Sequence, residues 1–145
     1  MGMSSEPWAA GSRQSVSASR HSLMVWQLLS AILLLVMGGI HLYLVVNGVG
    51  GLLGLLFVLN AAGGLVLATA ITVLRGRLLS LATVLSLLFM AGTLLALVLA
   101  LTVGLFGIRE ELGSQLVPTT LMIESIGTIV LVIATALVSR SRRAA

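Results

Sequence analysis

Four long stretches of apolar residues dominate the chain and limit what it can fold into. They cover approximately residues 23–46, 52–74, 78–106 and 116–138. Together they contain a single acidic side chain, Glu124, and a single histidine, His41. A helix needs about 20 mainly apolar residues to cross the roughly 30 Å hydrocarbon core of a bilayer. Each stretch is long enough, so the sequence predicts four transmembrane helices.

The overall composition agrees with this prediction. Of 145 residues, 59% are hydrophobic and only 8% are charged, which is more apolar surface than a soluble domain of this size can bury. Membrane-spanning strands would be about 9–11 residues long with alternating polarity, and the sequence has no such alternation. We therefore expect an all-α integral membrane protein, an antiparallel four-helix bundle with up-down-up-down order.

The arginines predict how the helices are oriented. All eight basic residues are Arg, and seven of them lie on one side of the predicted spans. They are Arg13 and Arg20 before the first span, Arg75 and Arg77 between the second and third, and Arg140, Arg142 and Arg143 after the fourth. Because basic residues in short loops favour the cytoplasmic side, both termini are expected in the cytoplasm. The net charge of +4 is thus explained by topology, and nucleic acid is not an expected partner.

Two short tails are expected to flank the transmembrane domain of residues 23–138. Residues 1–22 are rich in Ser, contain Pro7 and have no apolar period, which predicts a disordered cytoplasmic tail. Residues 139–145 form a basic cytoplasmic tail.

Small residues predict where the helices contact each other. In lipid, helices associate through close backbone approach and occasional hydrogen bonds. The third span carries small residues at a strict spacing of four, namely Gly92, Ala96, Ala100 and Gly104. This spacing predicts a helix-packing face. The second span adds Gly64, and the first places Gly38 on roughly the same face as His41.

Three polar side chains are predicted to lie at similar depth in the outer half of the membrane: His41, Asn60 and Glu124. An ionised carboxylate at the depth of Glu124 would cost about 2.5 kcal/mol or more. Glu124 is therefore expected to be protonated, paired or next to a wet cavity. The connection between the third and fourth spans would place Arg109, Glu110 and Glu111 at the outer mouth of this cluster.

Two interpretations of the cluster remain open. In the first, His41, Asn60 and Glu124 form a site for a ligand or a proton that opens to the outside. In the second, the three side chains satisfy one another and fix which helices are neighbours, at about 0.5–2 kcal/mol per interhelical hydrogen bond.

The residue inventory argues against an enzyme. The chain contains no Cys and no Asp, and it has no hydrolase elbow or phosphate-binding loop. A bis-histidine haem would need both His21 and His41 at one depth, but about 30 Å of helix separates them. Zinc and di-iron sites need more ligands than the spans offer. No catalytic residue, metal or cofactor is therefore expected.

Three short segments resemble those of small four-span membrane proteins of high-GC actinobacteria. They are Gly-Ile-His-Leu at 39–42, Gly-Leu-Phe-Gly-Ile-Arg-Glu at 104–110, and Ile-Glu at 123–124. The exclusive use of Arg over Lys agrees with a high-GC genome. The resemblance implies a multi-pass protein of a bacterial plasma membrane and implies no activity.

The sequence favours one function and leaves others open. The favoured function is an accessory or scaffolding subunit of a larger membrane complex, which requires the Gly92–Gly104 face to be partly uncovered in the monomer. The alternative is an oligomeric transporter, channel or lipid-binding protein that uses the outer polar cluster. A membrane enzyme or haem carrier ranks last. Expected partners are the lipid bilayer and either a larger complex or further copies of the chain.

Overall fold

The computed structural model describes residues 8–104 and 116–143, and these residues form four α-helices. The helices are α1 (Trp8–Val46), α2 (Gly51–Val73), α3 (Gly76–Thr102) and α4 (Val117–Arg143). Segments of 26, 23, 27 and 25 residues within them are long and apolar enough to cross a membrane. The described part of the chain contains no strand. For the described residues, the predictions of an all-helical fold and of four helices able to span a membrane are confirmed.

The helices differ from the predicted spans mainly at the two ends of the chain. α1 already begins at Trp8, so residues 8–22 are helical, whereas the sequence predicted a disordered tail. Residues 1–7 lie outside the described residues. α4 continues through Arg143, into the predicted basic tail. Extending an existing helix is cheap because each added residue gains a backbone hydrogen bond, and Ala and Arg are good helix formers.

The core lies mainly between α1 and its two neighbours, α2 and α4. α3 packs against α4, while α2 and α3 share the thinnest contact of the four neighbouring pairs. The largest fully buried apolar side chains are Leu34, Met37, Ile71, Met90 and Leu131. Many Leu, Val and Ile side chains on the outer faces are 40–65% exposed. Such an exposed apolar surface is suited to lipid, where the backbone hydrogen bonds are satisfied within each helix.

Glycines bring the backbones of α1 and α2 close together. A Cβ added to Gly64 of α2 would lie 2.9 Å from the carbonyl oxygen of Leu34. A Cβ added to Gly38 of α1 would lie 3.3 Å from the Cα of Ala61. Small residues allow this approach, which strengthens dispersion contacts between the helices. Gly38 and Gly64 therefore lie at the contact between α1 and α2.

The predicted packing face of α3 is only partly covered in the structure. The buried residues of α3 include Thr83, Ser86 and Met90, and Ala100 is the one member of the predicted row among them. Gly92 is exposed, and a Cβ added there would meet no atom within 4 Å. Ala96 is half-buried and Ala100 is buried. Small side chains show how closely a neighbour could approach, but they do not show whether a neighbour is present.

Gly104 also differs from its predicted role, since α3 ends at Thr102. Gly104 has a φ of +84°, and its N–H donates to the carbonyl of Leu99 at 2.9 Å. A glycine in this left-handed conformation is a common way to end a helix and to satisfy one of its last carbonyls. Gly104 is therefore a helix-ending residue and lies outside the row of small residues on α3.

The close approach of α1 and α2 generates a stability prediction. We expect Gly64→Ala to lower the free energy of unfolding by about 1–3 kcal/mol, because the new methyl group overlaps a backbone oxygen that has little room to move. The matched control is Gly39→Ala on α1, where an added Cβ meets nothing within 4 Å. Unfolding in mixed micelles measures both variants. Equal stability of the two would contradict the close contact.

Candidate functional site

A cavity of about 840 Å³ lies between α2 and α3, at the end of the helices where residues 47–50 connect α1 to α2. Most of its described lining residues are apolar. The polar ones are His41, Tyr43, Asn47, Asn60, Thr93, Thr120 and Glu124. All four helices contribute to this lining. The cavity therefore brings together polar residues that are far apart in the sequence.

The cavity exists because little of α3 touches α2 at this end. Gly92, Ala96 and Ala100 form part of its α3 wall, and their small side chains leave the space open. Leu59 and Leu88 also line it, and they are 59% and 63% exposed. Since these two leucines belong to the outer apolar surface, the cavity reaches that surface between α2 and α3.

His41 is held by hydrogen bonds on both ring nitrogens. Its Nδ1 lies 2.9 Å from the carbonyl oxygen of Met37 on the same helix, and its Nε2 lies 3.0 Å from Nδ2 of Asn60 on α2. The ring also meets that of Phe57 edge-on, with centroids 4.8 Å apart. A carbonyl only accepts, so Nδ1 donates; Nε2 of the neutral ring then accepts from the Asn60 amide.

This arrangement decides which atom of Asn60 remains free. Its Nδ2 donates to His41, so its Oδ1 is turned away from the imidazole. That oxygen is buried and has no hydrogen-bond partner. A buried acceptor without a partner costs about 1–3 kcal/mol. Asn60 therefore offers one unsatisfied acceptor next to the cavity.

Glu124 is the most deeply buried polar side chain of the cavity lining, with 1% of its surface exposed. The hydroxyl of Thr93 on α3 contacts its carboxyl group; because the one hydroxyl hydrogen of Thr93 is donated to the carbonyl of Met90, the carboxyl group is the donor of this bond and is protonated. The other carboxyl oxygen, Oε2, is buried and has no partner. The nearby α4 hydroxyls do not serve it, because Thr120 and Thr128 donate to backbone carbonyls. Glu124 therefore supplies a second unsatisfied acceptor.

The structure brings together only part of the predicted cluster directly. His41 and Asn60 are hydrogen-bonded, and Glu124 lines the same cavity. No hydrogen bond joins His41 to Glu124, although both are described residues; each has a different partner. The predicted outer mouth, Arg109, Glu110 and Glu111, lies outside the described residues. Its position relative to the cavity is therefore still a prediction.

Thr93 is the site residue that sequence reasoning missed. It lies on α3 and lines the cavity beside Glu124. Its hydroxyl also donates to the carbonyl of Met90 at 2.9 Å, a local bond that is typical of Thr within helices. The sequence does place a hydroxyl at about the predicted depth of Glu124, which could have indicated Thr93. Thr is common in membrane helices, however, and the sequence does not show which neighbour the side chain of Thr93 faces.

The chemistry of the cavity is that of a binding site with an apolar body and a polar end. Within residues 8–104 and 116–143, no three His, Cys, Asp or Glu side chains come together as metal ligands. Both ring nitrogens of His41 already have a hydrogen-bond partner. The two unsatisfied oxygens, by contrast, can each accept a hydrogen bond. The arrangement is suited to holding a molecule that carries donors.

The His41–Asn60 bond can be tested by a double-mutant cycle. We expect His41→Leu and Asn60→Leu to be coupled by about 0.5–1.5 kcal/mol in the free energy of unfolding, as found for hydrogen bonds between membrane helices. The matched cycle of His41→Leu with Glu124→Gln should be additive to about 0.5 kcal/mol. Equal coupling in both cycles would mean that His41 and Glu124 contact each other.

Comparisons with protein-family models, with curated proteins and with solved structures find no match to this chain. They neither support nor oppose the resemblance to actinobacterial four-span proteins. A proposal for the function therefore rests on the geometry of the cavity.

Proposed function

We propose that the chain is a lipid-binding membrane protein that holds an amphipathic molecule in the cavity between α2 and α3. One observation carries this proposal. Glu124 is 1% exposed beside a mainly apolar cavity, and its Oε2 has no partner. A side chain with a purely structural role would be expected to have both oxygens satisfied, because unpaired buried polar groups are costly.

The size and position of the cavity support a ligand that comes from the bilayer. Its volume of about 840 Å³ lies within the range of about 300–1,000 Å³ that is typical of small-molecule sites. The exposed leucines at its edge, Leu59 and Leu88, belong to the surface that lipid would cover. A molecule with an apolar chain can therefore enter sideways from the membrane without crossing water.

We also propose that both termini are cytoplasmic and that the helices alternate in direction. The seven arginines on one side of the spans support this orientation. The cavity would then lie in the outer half of the membrane, which we take to be a bacterial plasma membrane. Its lining supports alternation, because it combines the last turns of α1 and α3 with the first turns of α2 and α4.

Because the chain has no cysteine, single cysteines can test this orientation directly. We expect Asn47→Cys, in the α1–α2 connection, to react with a membrane-impermeant maleimide on intact cells. Ser141→Cys, near the end of α4, should react only after the membrane is permeabilised. Both native side chains are exposed, so a lack of reaction would report the side of the membrane rather than burial. The reverse labelling pattern would overturn the proposed orientation.

A second function, an accessory subunit of a larger membrane complex, is favoured by one observation. Gly92 is exposed and Ala96 is only half-buried, so this face is partly uncovered, as that function requires. Small residues on an open face allow a partner helix to approach closely. The same face lines the cavity, so a partner helix and a lipid would compete for it.

A cavity-filling substitution separates these functions. Gly92→Leu places a side chain in open space, since no atom lies within 4 Å of an added Cβ, so the fold should be retained. We expect this variant to lose the lipid that remains bound to the wild type in native mass spectra recorded in mild detergent. The matched control is Gly39→Leu, an equal substitution at an open position of α1 outside the cavity lining.

The outcomes of this experiment differ for each function. Loss of a lipid mass in Gly92→Leu, with retention in Gly39→Leu, supports lipid binding in the cavity. Loss of a protein mass instead supports the accessory-subunit function. If both variants keep the same bound lipid as the wild type, the cavity is not the binding site and the proposed function is wrong.

A further inference from the structure

We infer that the polar head of the ligand is a hydrogen-bond donor, a hydroxyl or amino group, rather than an anionic phosphate or carboxylate. This inference rests on the proposed function, because it names the chemical class of the molecule in the same cavity. It follows from the hydrogen bonds that the polar lining residues have already formed and from the atoms that are left over.

The hydrogen bonds around Asn60 leave no choice of which atom is the donor and which is the acceptor. Met37 accepts from His41 through its carbonyl, and His41 accepts from the amide nitrogen of Asn60. Turning the Asn60 amide around would place its oxygen against the lone pair of His41 Nε2, which is repulsive. The free atom of Asn60 is therefore the acceptor, Oδ1.

The free atom of Glu124 is also an acceptor. Thr93 contacts the carboxyl group, while Oε2 has no partner. Both free oxygens are inaccessible to water in the ligand-free arrangement, so a bound head group must reach them through a small rotation of either side chain. A donor gains by reaching them, because it satisfies oxygens that are costly to leave unpaired.

An anionic head group would have the opposite effect. Its oxygens are acceptors, so they would leave Asn60 Oδ1 and Glu124 Oε2 unsatisfied and would face their lone pairs. The two free oxygens thus select against an anion as well as in favour of a donor.

Three probes with the same unsaturated hydrocarbon chain test this selectivity. Monoolein carries two hydroxyl donors, oleylamine carries an amino group, and methyl oleate has no donor. Their affinities for the purified full-length chain can be compared by titration in mild detergent with native mass spectrometry. We expect a donor probe to bind about 3- to 10-fold more tightly than methyl oleate, as one or two additional hydrogen bonds imply.

Two substitutions of Glu124 distinguish a hydroxyl from an amine. Glu124→Met removes both acceptors and should reduce the affinity for the preferred donor probe to that for methyl oleate. Glu124→Gln keeps one carbonyl oxygen but cannot carry charge. It should keep most of the affinity for monoolein and lose most of that for oleylamine. The matched control is Ser125→Ala on α4, outside the described cavity lining, whose hydroxyl donates to its own helix.

The result that overturns this inference is distinct from the failure of the proposed function. If methyl oleate binds the wild type as tightly as both donor probes, and Gly92→Leu excludes all three, the cavity binds lipid without selecting a donor. If Gly92→Leu excludes none of them, the cavity is not the site and the proposed function fails. The comparison of the three probes on the wild type decides the inference even where Glu124→Met does not fold.

Discussion

The close contact between α1 and α2 determines the arrangement of the polar site. Gly38 and Gly64 bring the two backbones together. His41 lies three residues after Gly38 and Asn60 lies four residues before Gly64, so each polar side chain shares a helix face with its glycine. The backbone approach therefore places the imidazole and the amide 3.0 Å apart. A wider separation of the helices would leave both groups without this partner.

The same contact helps to explain where the cavity forms. α1 packs extensively against α2 and also against α4, whereas α2 and α3 touch little. With Gly92 and Ala96 on the facing part of α3, no bulky side chain fills the space that remains. In water such a gap would be penalised strongly, but lipid chains provide an apolar solvent that can enter it. A thin contact between two helices, such as that between α2 and α3, is thus compatible with a stable membrane fold.

The sequence was sufficient for the long apolar helices, but not for the directions of the polar side chains on them. Long apolar stretches predict helices because lipid requires internal backbone hydrogen bonds, and this part is confirmed. Depth predicted that His41, Asn60 and Glu124 lie near one another, and all three line one cavity. Depth gives only the position along the membrane normal, however. The rotation of α4 about its own axis brings Glu124 to Thr93 instead of His41. That rotation depends on packing by many residues, including Met90 against Gly127.

The row of small residues on α3 shows a related limit. Its spacing predicted a packing face, yet the buried residues of α3 include Thr83, Ser86 and Met90 and, of this row, only Ala100. A smooth face is compatible with a neighbouring helix, a partner protein or an open cavity, and the sequence of one helix does not distinguish these. Gly104 belongs to another class altogether, because its positive φ ends the helix.

The distinction between a structural and a ligand-binding cluster depends on how its hydrogen bonds are satisfied. If His41, Asn60 and Glu124 served only to align the helices, their donors and acceptors would be expected to pair with one another, as in most buried polar networks. His41 meets this expectation, since both of its ring nitrogens have partners. Asn60 and Glu124 do not, because each keeps one buried oxygen without a partner. The helix contacts thus account for the positions of these side chains, while the unpaired oxygens are the part of the cluster that a ligand would explain.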